Sequence, residues 1–265
     1  MKDKTWLKHK TILFFSLVFA FSAPFWLWQF LIKDNSLPLN IPVTDVFAVL
    51  APTLAAVILS WRENGLMKVK QLFQTTFITK GTRWQFLLYA LLLPVFLFLM
   101  IYGLTWMFFS EQLPPQYTLP LSEIPLLIFF FFLGAVAEEI GYSGYVYKEM
   151  KARLGVIRGA LVLGLLWSVW HYPSMLQQGR SLVFFLWGTL GTVAFRFIYC
   201  LFLEWSNFSV LSVVLMHTSY NVCRMLFPSD QTRNALVQIP ELHYGAALFL
   251  ATVCLLLWKR KGKTE

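Results

Sequence analysis

Charge is what this sequence has least of. Asp, Glu, Lys and Arg make up 13% of its 265 residues, against roughly 25% in a soluble globular chain. Hydrophobic residues make up 58%, with 26 Phe and 11 Trp among them. A soluble fold of this length has no interior large enough to hold that surplus, so a soluble class is excluded. Cysteine is scarce as well. Cys200, Cys223 and Cys254 lie in apolar segments at spacings that fit neither a disulfide framework nor a Cys-type metal site, and read as small buried hydrophobes. Internal repeats and low-complexity tracts are lacking, and no linker is long enough to separate domains, so residues 1–265 read as one domain. Acidic residues number 13 against 22 Lys and Arg, a net charge of +9. The basic residues sit in short blocks between apolar segments. That pattern implies contact with membrane lipid and no nucleic-acid partner.

What the chain has instead is a succession of apolar runs. A helix needs about 20 apolar residues to cross a bilayer. Eight segments approach that length, at approximately 11–32, 41–61, 85–109, 124–147, 157–176, 181–203, 208–227 and 242–258. The fold class expected is all-α, a polytopic integral membrane protein with about eight transmembrane helices. The basic start resembles a signal peptide, with Ala20 and Ser22 as a conceivable cleavage site, but the apolar run that follows is too long for a signal core. An uncleaved first helix is expected. Lys2, Lys4, Lys8 and Lys10 precede it. Arg62, Lys68, Lys70, Lys80 and Arg83 fill the second loop, Lys148, Lys151, Arg153 and Arg158 the fourth, and the tail "KRKGKTE" is basic again. The intervening loops are poorer in positive charge, which predicts a multi-pass protein of the cell membrane with both termini cytoplasmic.

Against this background the stretch "AVAEEIGYSGYVYKEM" is out of place. Glu138 and Glu139 follow a run without charge from Ile124 to Ala137, and a carboxylate in hydrocarbon costs about 2.5–3.5 kcal/mol on insertion scales. Other ionisable residues inside the expected spans include His171, Arg196 and His217. Asn221 follows His217 by four residues and His171 follows Trp167 by four, a spacing that puts each pair on one helical face. At about 1.5 Å per residue, Glu138 lies about 15 Å into its span, His171 about 19 Å, His217 about 15 Å and Asn221 about 21 Å. Three helices thus carry their polar groups in one slab, which predicts one site.

The chemistry such a set supports is hydrolytic. A carboxylate acts as general base on water, a neighbouring His shares that water, and a His with an Asn donates hydrogen bonds to a developing oxyanion. Without Asn221, the groups Glu138, His171 and His217 also suit a divalent metal such as zinc. Asn is a poor zinc ligand, which favours a mechanism without metal. Trp167 and Trp170 read as packing or interface anchors, as do Tyr142, Tyr145 and Tyr147; His9 and His243 read as surface residues. A proton-coupled transporter using the Glu/His set as a relay lacks the broken helices and repeats that would support it.

The spacing Glu138-Glu139-x-x-x, then Trp167-x-x-x-His171, then His217-x-x-x-Asn221 resembles the CPBP family of CAAX proteases and bacteriocin-processing enzymes. The motif core covers about 124–226, and the helix count is similar to the Ras-converting CAAX prenyl endopeptidases. The resemblance implies an intramembrane endopeptidase with a peptide or protein substrate. In it Glu138, helped by His171, activates water, His217 and Asn221 stabilise the oxyanion, and Glu139 braces the helix. One position departs. The family pattern has Arg where this chain has Ser143, which cannot neutralise a carboxylate. Arg196 lies at about the depth of Glu139 and is a candidate partner from a neighbouring helix. The alternative is a catalytically degenerate relative acting as a bacteriocin-immunity or accessory binding protein.

Overall fold

The computed structural model describes residues 9–31, 36–37, 41–42, 45–77, 81–113, 121–227 and 239–261. Helix α1 spans Lys10–Leu31. A two-residue antiparallel pairing of β1 (Ser36–Leu37) with β2 (Ile41–Pro42) follows, and then the short α2 (Asp45–Ala48). Helices α3 (Ala51–Phe77), α4 (Trp84–Phe108) and α5 (Ile124–Glu139) come next. A seven-residue π-helical segment, Ile140–Val146, links α5 to α6 (Tyr147–Gln177). Helices α7 (Leu182–Trp205), α8 (Val210–Leu226) and α9 (Pro240–Lys261) complete the chain.

Long apolar helices dominate because most of these segments are hydrophobic on all sides, the pattern of helices surrounded by lipid and by one another. Large apolar side chains such as Leu182, Leu31 and Trp106 remain exposed on the outside, as lipid contact requires. The protein is an all-α polytopic membrane protein. Among the described residues six helical stretches are long and apolar enough to cross a bilayer. Two differences from the eight expected segments explain the count. The segments 124–147 and 157–176 fall in one helical stretch, Ile124–Gln177, kinked at Gly155, whose φ of 76° is open to glycine without strain. Helix α8, at 17 residues, is too short to count.

Helices α7 and α8 hold the core. Helix α7 packs between α6 and α9, while α8 packs between α4 and α5. Half of the apolar window of α7 is buried, the largest share of any span. Ser181 and Ser209 begin these two helices, their hydroxyls accepting from the Phe184 and Ser212 amides, the usual way to satisfy a free helix N-terminus. Lys10–Glu63 (3.0 Å) and Lys151–Glu204 (2.6 Å) tie helices together, with Tyr145 and Tyr147 donating to the same two carboxylates. His243 does not lie on the surface as its sequence position suggests. It is fully buried, its ring against Phe98, Phe195, Tyr220 and Tyr244, and the Tyr220 hydroxyl is 3.0 Å from its Nε2.

Helix α3 packs against the π segment. Thr53 Oγ1 donates to the Ala137 carbonyl at 2.6 Å, and a Cβ placed on Gly141 would stand 2.4 Å from the Pro52 carbonyl oxygen. Backbone cannot yield as a flexible side chain can. Gly141→Ala is therefore expected to lower stability by about 1–3 kcal/mol, the range for overpacking. Gly134→Ala, whose Cβ would meet nothing within 4 Å, should leave it nearly unchanged. Thermal unfolding of the two variants in detergent checks the difference; equal midpoints would remove the close-packing account.

Candidate functional site

The site is built where α5 turns into the π segment. Glu138 and Glu139 are the last two residues of α5, and both are buried, Glu139 completely. Adjacent residues on a helix face different ways, and the two carboxylates accordingly meet different partners. Glu138 Oε2 accepts a hydrogen bond from Trp167 Nε1 on α6 at 2.8 Å. Glu139 meets α7 and α8 instead.

Glu139 is the most heavily bonded side chain of the interior. Arg196 on α7 grips it with two nitrogens, Nη1 to Oε2 at 2.7 Å and Nη2 to Oε1 at 3.0 Å. His217 Nδ1 on α8 lies 3.0 Å from Oε1, and the Ser143 hydroxyl, four residues on, donates to Oε2. Arg196 is itself fully buried. A paired fork of this kind is the geometry in which a buried guanidinium and carboxylate compensate one another. Ser143 supplies a hydrogen bond at the position where the family pattern has Arg, and the positive charge comes from another helix.

Trp167 holds the rest together. Its ring lies under the Arg196 guanidinium, with Cζ 3.9 Å from the ring centre. The Tyr142 and Tyr199 rings flank the same cation at 5.1 and 5.4 Å. The Trp167 ring also meets His171 edge-on at 4.9 Å and His217 at 5.7 Å. Its backbone carbonyl faces His171 Nδ1 at 2.7 Å. A role as hub of Glu138, His171, Arg196 and His217 was not readable from the sequence, where a tryptophan in an apolar helix signals packing first. The four-residue spacing to His171 was the one available hint.

Tautomers follow from the acceptors. A carbonyl and a carboxylate only accept, so Nδ1 carries the proton in both His171 and His217. Nε2 is left as the remaining polar atom of each ring. It accepts when the ring is neutral and donates when the ring is protonated. Asn221 stands one turn beyond His217 on α8, half-buried. The structure therefore gathers Glu138, Glu139, Trp167, His171, Arg196, His217 and Ser143 into one connected set, with Asn221 on the same helical stripe. Among the described residues no three His, Cys, Asp or Glu side chains are grouped so as to hold a metal ion.

The fold and site define a class: a polytopic membrane protein enclosing a buried set of carboxylates, imidazoles and an arginine. Comparison with known proteins narrows it. Residues 120–223, which enclose every one of these groups, match the family model described as Type II CAAX prenyl endopeptidase Rce1-like. A CAAX prenyl protease 2 of Methanococcus maripaludis is 22% identical over 146 residues, 52% of this chain and 51% of that protein. The chain thus matches about half the length of this curated relative. The family-model match falls on the part of the sequence that carries the site.

Removing one member of a buried ion pair leaves the other uncompensated and costs about 3–5 kcal/mol. Arg196→Leu should lose stability on that scale, and Glu139→Gln added to it should recover much of the loss. Ser143→Arg in the Arg196→Leu background should recover some as well, because residues four apart on a helix are neighbours. Thermal unfolding in detergent gives the comparison. If Arg196→Leu unfolds at the wild-type temperature, the pair carries no structural weight.

Proposed function

We propose that this protein is an intramembrane endopeptidase in which Glu138 activates water to cleave a peptide bond. The observation that supports it most directly is the pairing of two adjacent carboxylates with separate tasks in the family-matched segment. Glu139 is saturated by Arg196, His217 and Ser143 and serves structure. Glu138 accepts one indole N–H through Oε2, and its Oε1 is left for chemistry.

In this reading Glu138 takes a proton from water as the water oxygen attacks the scissile carbonyl carbon. The resulting tetrahedral oxyanion is stabilised by hydrogen bonds from His217 and Asn221. Collapse breaks the carbon–nitrogen bond, and the proton held by Glu138 passes to the leaving amine. His171, its ring fixed by the Trp167 carbonyl, helps orient the water. Glu139 supports the reaction through His217 by holding its Nδ1, which fixes the orientation of the ring. Peptides ending in a prenylated CAAX sequence are the substrate class the names of the family and the relative suggest. The basic loops favour insertion in the cell membrane with both termini cytoplasmic.

A non-catalytic reading gained its weight from Ser143. Arg196 on Glu139 supplies the cation that Ser143 lacks, which favours the catalytic reading. The test is cleavage of a peptide library, including prenylated CAAX-type members, by purified protein with and without chelator. Wild type should cleave in both conditions. Glu138→Gln should lose activity by at least about 10²-fold, the scale of a general base, while unfolding at the wild-type temperature. Full activity in that variant would sink the assignment of Glu138, and loss with chelator would restore a metal.

A further inference from the structure

At the start of α6 the chain reverses sharply. Gly155 breaks the helix with a φ of 76°, and Gly159 folds back until a Cβ on it would stand 3.2 Å from the Lys151 backbone nitrogen. In an unbroken helix, eight residues span about 12 Å. Residues 147–154 therefore form a surface turn, with Lys148 exposed and Lys151 half-buried. Both belong to the basic block between two apolar segments, the place where positive charge gathers in a membrane protein.

The connection from α7 to α8 meets this turn. Asn207 and Phe208 have φ of 56° and 63°, a left-handed conformation that is costly for a bulky side chain. The Phe208 amide donates to the Leu203 carbonyl at 2.7 Å and fastens the loop to the end of α7. The Phe208 ring is thereby held stacked on Tyr147, with centres 5.9 Å apart. Lys148 Nζ stands 5.0 Å from the centre of the Phe208 ring and Lys151 Nζ 5.4 Å. Two ammonium groups converge on one ring, while the carboxylates at this end are engaged. Glu204 takes Lys151 at 2.6 Å and the Tyr147 hydroxyl at 3.2 Å. Glu149 takes Arg153 at 2.7 Å, and Glu63 takes Lys10 at 3.0 Å. Among the described residues Lys148 forms no ion pair.

We propose that Lys148 and Lys151, set against the Phe208 ring, bind the phosphate of an anionic phospholipid at the membrane surface. Residues three apart on a helix are neighbours, so the two ammonium groups repel one another. The ring face offsets part of that repulsion and Glu204 engages Lys151 alone. An anionic oxygen between the two lysines offsets the rest, and lysine binds phosphate well as a point charge. The surroundings favour a lipid over a soluble anion. Trp205, next to Glu204, meets Trp258 of α9 with ring centres 6.4 Å apart, and tryptophans concentrate where membrane meets water. Leu154, three residues past Lys151, is exposed and offers apolar contact to the glycerol and the first acyl carbons. The bound lipid would clasp the start of α6 to the α7–α8 connection. This site is separate from the catalytic set, and its occupancy does not depend on peptide cleavage.

The test titrates full-length protein in a non-ionic detergent with phosphatidylglycerol and reads the thermal midpoint, which rises with occupancy of a ligand that binds the folded state. Wild type should show a saturable rise, and phosphatidylcholine, whose headgroup adds a cation, should give little. Lys148→Gln should weaken the apparent affinity about 10–100-fold, the range of a hydrogen-bonded charge, and Lys148→Arg should keep most of it. Lys259→Gln, at an exposed position of α9, should weaken it no more than about fivefold, the scale of one lysine in a diffuse surface field. Because Lys148 is exposed, its variants should unfold at the wild-type temperature in detergent alone. The absence of a saturable rise in wild type overturns the proposal, as does an affinity unchanged in Lys148→Gln. Equal losses in Lys148→Gln and Lys259→Gln overturn it too, because the attraction is then diffuse. If inorganic phosphate at the same concentrations produces the same Lys148-dependent rise, the ligand is a soluble anion and the lipid assignment falls.

Discussion

Everything at the centre of this protein depends on keeping one carboxylate ionised and compensated where water does not reach. Glu139 achieves this through a forked pair with Arg196, reinforced by His217 and Ser143. An unpaired charge in such a place is among the most expensive errors a fold can contain. Compensation requires α5, α7 and α8 to meet at fixed distances. The pair therefore sets the geometry of the bundle, and the reactive groups inherit it. Trp167 extends the same constraint to α6, with its ring against the guanidinium and its N–H on Glu138.

The two neighbouring glutamates illustrate how local backbone divides labour. Where α5 passes into the π segment, Glu138 turns to α6 and Glu139 to α7 and α8. π-helical turns are uncommon and recur at functional sites because they displace side chains from ordinary helical register. Close contact with Pro52, possible only because residue 141 is glycine, places α3 against this turn.

How much of this was legible beforehand depended on whether a signal was local. Glu138, Glu139, His171 and His217 stood out because polar groups in apolar runs are conspicuous, and helix depth alone brought Arg196 level with Glu139. The helical class followed from the apolar runs, while the joining of two of them in the stretch Ile124–Gln177 did not. Hydropathy registers a dip near Gly155 as a loop, while the backbone there departs from helix at one residue only. His243 was misread because its burial is made by rings from α4, α7 and α8, none of which is near it in sequence. The π segment left no periodic trace that an apolar helix would not also leave. Trp167 was underrated for a similar reason: its partners come from three other helices.

The origin of the compensating charge has a consequence for synthesis. An arginine four residues after Glu139 would enter the membrane with it, on the same helix. Arg196 lies 57 residues later and His217 lies 78 later. At a translation rate of about 5–20 residues per second, the arginine is made roughly 3–11 s after the glutamate. During that interval Ser143 is the one side chain of the described trio already beside Glu139. A chain built this way cannot complete the burial of Glu139 energetically until α7 has arrived. The biosynthetic machinery, or the hydroxyl of a single serine, has to carry the carboxylate across the gap.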